Sequence, residues 1–264
     1  MLDITGIGSA SSLNWVALAA TTFVSALLYA VSGFGFAVLA APLFLLLVDP
    51  VQAIQLVIVL STALSLTVLP GLRRAVAPQL LLRLTIGSIV GLPIGLVAFR
   101  YADPVLVRLV VGATILIFAA VIAVTRRHRG GGWASLAVRP GRDLAAGAIS
   151  GAAAALVGMA GPPVLIYLLL ARAAATTVRA TLLAFFALSY GATLVFHAVI
   201  IGIPSATWAG AGILIPFALL GGFAGRPIGD RLGTDAFAFL AITLLTAAGL
   251  YTLISAAAGL VINR

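Results

Sequence analysis

Two glycine-rich breaks hold the residues best suited to chemistry. The first reads Ser32-Gly33-Phe34-Gly35-Phe36 and the second Gly158-Met159-Ala160-Gly161-Pro162-Pro163. Glycine lets the backbone turn sharply and approach a ligand closely. Pro162 and Pro163 suit the first turn of a new helix, where no amide bond is lost. A helix that starts inside a membrane points unpaired N–H groups and the positive end of its dipole at its own tip. Two such tips meeting would suit a small anion. The ordinary alternative is close helix packing through small residues. A break at the corresponding place in both halves brings the two readings level.

Other polar side chains extend the candidate site. Gln52 and Gln55 lie near the start of one apolar run and could donate to an anion or bond across helices. Arg179 could grip an oxyanion with two parallel hydrogen bonds, or anchor a cytoplasmic helix end. Ser61, Thr62 and Ser65 in one run, and Ser189, Tyr190 and Thr193 in another, sit well inside their segments. Hydroxyls there often bond their own helix backbone, so about one in three is expected at substrate. Arg226 either lines a vestibule or snorkels to the interface. His197 reads as an interfacial residue rather than a proton relay. Asp103 and Asp235 are expected to cap the helices that follow them.

These residues need a lipid-embedded scaffold. Hydrophobic residues make up 63% of the 264-residue chain and charged residues 8%, with a mean hydropathy of +1.26. A soluble domain of this size carries about 25% charge. The apolar runs suit helices crossing a core of about 30 Å, and no segment alternates as barrel strands do. All fifteen cations are arginine, placed between apolar runs, so the net charge of +9 reports topology rather than nucleic-acid binding. Cysteine is absent, which excludes disulfides and thiolate chemistry. The first dozen residues lack a basic n-region and a cleavage site, so no removable signal peptide is expected. No metal or cofactor is expected.

Breakers divide the chain into apolar runs at 13–30, 36–48, 51–70, 79–99 and 104–125, then 144–157, 162–171, 177–201, 206–228 and 235–260. Residues 13–125 form a first repeat, 126–142 an Arg/Gly-rich cytoplasmic linker, and 143–260 a second repeat. Placing 71–78, 126–142, 172–176 and 229–234 in the cytoplasm puts twelve of the fifteen arginines on or near that side. Each half then has three full spans, an odd number, so the repeats must be inverted and both termini lie outside. The segments 36–48 and 162–171 are roughly 20 Å and 15 Å of helix. Each leading pair is therefore a re-entrant or broken-helix hairpin, or two short tilted spans. The expected fold is an all-α polytopic membrane protein of about eight to ten hydrophobic segments.

The halves share a signature. Residues 86–95, IGSIVGLPIG, return at 220–229 as LGGFAGRPIG, matching Gly87, Gly91, Pro93 and Gly95 to Gly221, Gly225, Pro227 and Gly229. This pattern is expected to be a packing or hinge surface beside the hairpin of its own half.

The glycine turns GFGFAVLAAP and GMAGPPVL, the helices DPVQAIQLVIVLS and TTVRATLLAFFALS, and the GxxxGxPIG copies resemble the sulfite exporter TauE/SafE family of bacterial membrane permeases over roughly 13–260. Phe36 stands where a further glycine is common, and Pro162-Pro163 is a second departure. The resemblance implies transport of sulfite, sulfonates or related organosulfur anions, often outward.

No carboxylate lies near a mid-span position, which argues against proton coupling. An anion leaving a negative-inside cell gains about 2.3 kcal/mol per charge per 100 mV. The expected function is an inner-membrane exporter or facilitator of small anions, working by alternating access. An anion channel with the tips as a fixed filter is the alternative. An intramembrane enzyme lacks a nucleophile with a base near mid-span. The expected partners are an anion and the bilayer, with no nucleic acid; homo-oligomerisation stays open.

Overall fold

The computed structural model describes residues 12–33, 35–68, 76–127, 139–170, 175–229, 243, 246–247 and 249–254. Every element among them is helical. The order is α1 (Ser12–Ser32), α2 (Phe36–Leu47), α3 (Pro50–Val68), α4 (Pro78–Tyr101), α5 (Pro104–Arg127), α6 (Pro140–Val157), α7 (Gly161–Leu170), α8 (Ala175–Phe196) and α9 (Ser205–Gly229). A π-helical turn, His197–Ile201, continues α8, and 249–254 are helical. The apolar runs read from sequence match these bounds closely. The proposed linker falls mostly on 128–138, outside the described residues, as does most of the last span.

Among the described residues, five helices are long and apolar enough to cross a membrane: Leu13–Val31, Pro50–Thr67, Pro78–Tyr101, Ala180–Ile201 and Ser205–Gly225. The chain is a multi-pass α-helical membrane protein. Two short helices complete the hairpins. α2 has 12 residues and α7 has 10, only about 18 Å and 15 Å long at 1.5 Å per residue.

The centre is α3 packed on α8. Residues 53–62 of α3 and 180–187 of α8 are buried without a break. An all-round apolar helix is buried on every side, and α3 is the most buried candidate span at 67%. The hairpins α1–α2 and α6–α7 pack around this pair.

The repeated glycine signature corrects one expectation. α4 packs along α6, and α9 along α1, so each copy rests on the hairpin of the opposite half, not its own. Gly87, Gly91 and Gly95 face the backbone of Leu144, Ala148 and Ala152, while Gly147 and Gly151 face the carbonyls of Leu84 and Ser88. Gly221 and Gly225 face the carbonyls of Phe23 and Leu27. A Cβ at any of these seven glycines would overlap the opposing backbone. Only a stripe of small residues at fourfold spacing allows such approach. Both pairs run parallel, contact 87→95 meeting 144→152 and 221→225 meeting 23→27. Pro93 and Pro227 are exposed, on faces away from these contacts. The side chain of Arg226 and the burial of Gly229 lie outside the described residues.

An ion pair ties the starts of α4 and α6. Arg83 Nη1 lies 3.2 Å from Asp143 Oδ2, and the Tyr167 hydroxyl donates to Asp143 Oδ1. Asp143 is fully buried, so this pair also fixes α7. At the other turn, Asp103 Oδ1 accepts the Val105 amide at 2.8 Å, the cap expected from sequence. Asp235 lies outside the described residues.

Candidate functional site

The two glycine breaks converge. Gly35, Phe36, Ala37 and Val38 from the first, and Gly161 from the second, line one small cavity with Tyr29, Ser61, Phe186 and Tyr190. The space holds about one water molecule. Its walls come from α1, α2 and α3 on one side and α7 and α8 on the other, so both halves of the chain contribute.

Backbone geometry explains why glycine occupies the turns. Gly33 ends α1 at φ 78°, and its amide bonds the Tyr29 carbonyl at 2.8 Å. Gly35 caps α2 at φ 118°, ψ −10°, with no side-chain cap. Gly158 ends α6 at φ 72°. Side chains other than glycine rarely adopt such angles. Leu39 is the first α2 amide to reach an i−4 carbonyl, that of Gly35, at 3.1 Å. Phe36, Ala37 and Val38 precede it, so their amides head the helix at the cavity wall.

The tips differ in donor supply. Proline carries no N–H, so of the first three α7 residues only Gly161 offers one. The Ala160 amide is held by the Tyr190 hydroxyl at 3.2 Å, which donates in turn to the Gly158 carbonyl at 3.2 Å. Ser150 donates to the Ala160 carbonyl. The second tip is thus braced, while the first is richer in amides.

An aromatic chain joins them. The Phe186 ring lies 6.3 Å from Tyr29 and 5.9 Å from Tyr190, and the Tyr29 hydroxyl meets Ser65 Oγ at 3.2 Å. Ser61 is buried at the same wall. Its hydroxyl lies near that of Tyr190 but completes no hydrogen bond of normal geometry.

The sulfite exporter TauE/SafE family model matches residues 18–252, spanning both tips and the central pair. The chain belongs to the sulfite exporter TauE/SafE family. No curated protein and no solved structure matches significantly. Family membership makes this a membrane transporter of the anion-exporter class.

Within this TauE/SafE member, several candidates sit away from the cavity. Gln55 Nε2 donates to the Gly202 carbonyl at 2.9 Å, a bond across elements. Ser189 meets Ser88 at 2.8 Å, joining α8 to α4. Gln52 is half-buried near the start of α3, about two and a half turns of helix short of the cavity-lining Ser61. Met159 and Pro162 are buried beside the tip without lining the cavity. Thr62 and Thr193 bond their own helix carbonyls at 2.8 and 2.7 Å. The side chains of Ser32 and Arg179, and the whole of Phe34, lie outside the described residues.

His197 has a protein partner that the sequence did not indicate. It is fully buried, donates from Nε2 to the Ala155 carbonyl at 3.0 Å, and lies edge-on to Phe99 at 4.8 Å. It begins the π-helical turn, and apolar periodicity gives no sign of such a bulge.

Sequence reasoning missed Tyr29, Ser150 and Phe186. Tyr29 had one available signal: it precedes Gly33 by one helical turn, so its side chain must flank the break. Phe186 had none, because a phenylalanine in an apolar run is as suited to lipid as to a cavity.

Proposed function

We propose that the protein is a multi-pass permease of the bacterial inner membrane that carries sulfite, sulfonates or related small organosulfur anions. The convergence of Gly35 and Gly161 on one cavity carries this reading. The α2 and α7 N-termini present backbone donors and positive dipole ends there, and Ser61 adds a buried hydroxyl. Family membership supports the anion class.

The mechanism proposed is alternating access between two inverted repeats, residues 13–125 and 143–260, with both termini outside. A cavity of about one water is too small for a sulfur oxyanion. Binding therefore requires the hairpins to part. Each hairpin rests on a glycine helix of the opposite half, so movement of one half carries the other's tip. Export down the membrane potential needs no coupling ion.

Reconstituted protein tests the carrier. Sulfite flux into proteoliposomes should saturate and show counterflow when the trans side is preloaded. Large unitary currents without counterflow would instead identify a channel with the tips as a fixed filter.

A further inference from the structure

We infer that the π-helical turn His197–Ile201 is a gate between the tip cavity and the membrane face where α3 begins, latched by Gln55. This rests on the permease reading above.

The turn is held from both halves of the chain. Gln55 Nε2 of α3 donates to the Gly202 carbonyl at 2.9 Å. The Gly202 amide closes the turn on the His197 carbonyl, also at 2.9 Å. From the second half, the Ala155 carbonyl of α6 accepts from His197 Nε2, three residues before the Gly158 turn. The same stretch of α3 lies against that tip. A Cβ on Gly158 would stand 3.2 Å from the Val57 side chain and 3.6 Å from the Ile54 carbonyl. Gln55 precedes the cavity-lining Ser61 by six residues, about 9 Å of helix. The latch thus sits beside the second tip, displaced from the cavity toward the start of α3.

The closed arrangement is costly to hold. π-Helical turns are rare and concentrate at functional sites. Gly202 ends this one at φ 86°, ψ 141°, a conformation that other residues rarely adopt. A Cβ there would meet nothing within 4 Å, so the backbone angle, not space, requires the glycine. Two buried acceptors are also left over. Gln55 is 1% exposed and His197 0%, yet Gln55 Oε1 and His197 Nδ1 have no hydrogen-bond partner among the described residues. Nε2 must carry a proton to bond a carbonyl, so Nδ1 of the neutral ring is an acceptor. Buried polar groups are otherwise almost always paired. Water entering an opened turn would pair both and relax the backbone, at the loss of one neutral hydrogen bond from Gln55. Costs on both sides of the opening give the two accessible arrangements that a gate requires.

The chain has no cysteine, so Ser61→Cys makes a single reporter of access to the cavity. A membrane-impermeant maleimide is added to intact cells and, separately, to inverted vesicles. Adding Gln55→Leu should speed labelling about tenfold from one face only, the shift expected for one hydrogen bond. On the topology proposed above, that face is the one exposed in intact cells. Gly202→Ala should act the same way through backbone strain alone, whereas Gly212→Ala, an α9 glycine with equally open surroundings, should change nothing. Acceleration confined to one preparation supports the gate. Unchanged labelling in both variants, or equal acceleration from both faces, overturns it while wild-type sulfite flux leaves the permease reading standing. Absence of that flux overturns the permease reading, whatever the labelling shows.

Discussion

Gly91 of α4 lies directly against the backbone of Ala148 in α6, two residues that belong to opposite halves of the chain. Every hairpin in this protein leans on the other half's glycine helix in this way. On the alternating-access mechanism proposed above, this contact would couple each tip to the glycine helix it rests on.

Gly91→Ala should lower stability by about 1–3 kcal/mol, the usual cost of overpacking. The added Cβ would overlap the Ala148 carbonyl. Gly212→Ala provides the contrast, because nothing lies near that site. It should be neutral or stabilising by up to about 1 kcal/mol through helix propensity. Thermal unfolding in detergent checks both, and equal effects would remove the close-packing argument.

Asp143→Ala should destabilise the helix starts by about 3 kcal/mol, because a buried ion pair loses one partner. Arg83→Ala should cost at least as much, since it leaves a fully buried carboxylate. Replacing both with apolar residues should recover much of the loss. A double-mutant cycle measures the coupling; simple additivity would show that the pair contributes nothing.

Tyr190→Phe removes the hydroxyl that bridges the Ala160 amide and the Gly158 carbonyl. A buried amide left unpaired costs about 1–3 kcal/mol, so the second tip should lose order. Transport should fall about tenfold while expression and insertion persist. Undiminished flux would mean that the brace is unrelated to transport.

Ser61→Ala should weaken anion affinity by about 1 kcal/mol, whereas Thr62→Ala should not, because Thr62 bonds its own helix at Ile58. The concentration giving half-maximal flux distinguishes them. A shared shift would place the effect in helix α3 as a whole.

Segment positions were legible because lipid admits only long apolar helices, and glycine or proline marks where they stop. The bounds of α2 and α7 could therefore be read within a residue or so, and Gly33, Gly35 and Gly158 could be recognised as turns. The partner of each glycine helix could not. α1 offers Ala26 and Ala30, and α6 offers Gly147 and Gly151, so two similar small-residue stripes competed for α4. Residue type alone does not decide between them. The roles of Gln55 and His197 were hidden for a related reason: both depend on carbonyls, those of Gly202 and Ala155, that sequence does not place.

The central claim is that the two glycine tips together hold the transported anion. Sulfite-stimulated flux in proteoliposomes tests it most directly, comparing wild type with Gly35→Leu and Gly161→Leu at matched membrane insertion. Gly161→Leu would press on Phe186, whose ring already lies 3.3 Å from a Cβ at that site, and Gly35→Leu would strain a backbone at φ 118°. Loss of flux in both variants, with insertion retained, is the predicted result. Wild-type flux in both would contradict the account.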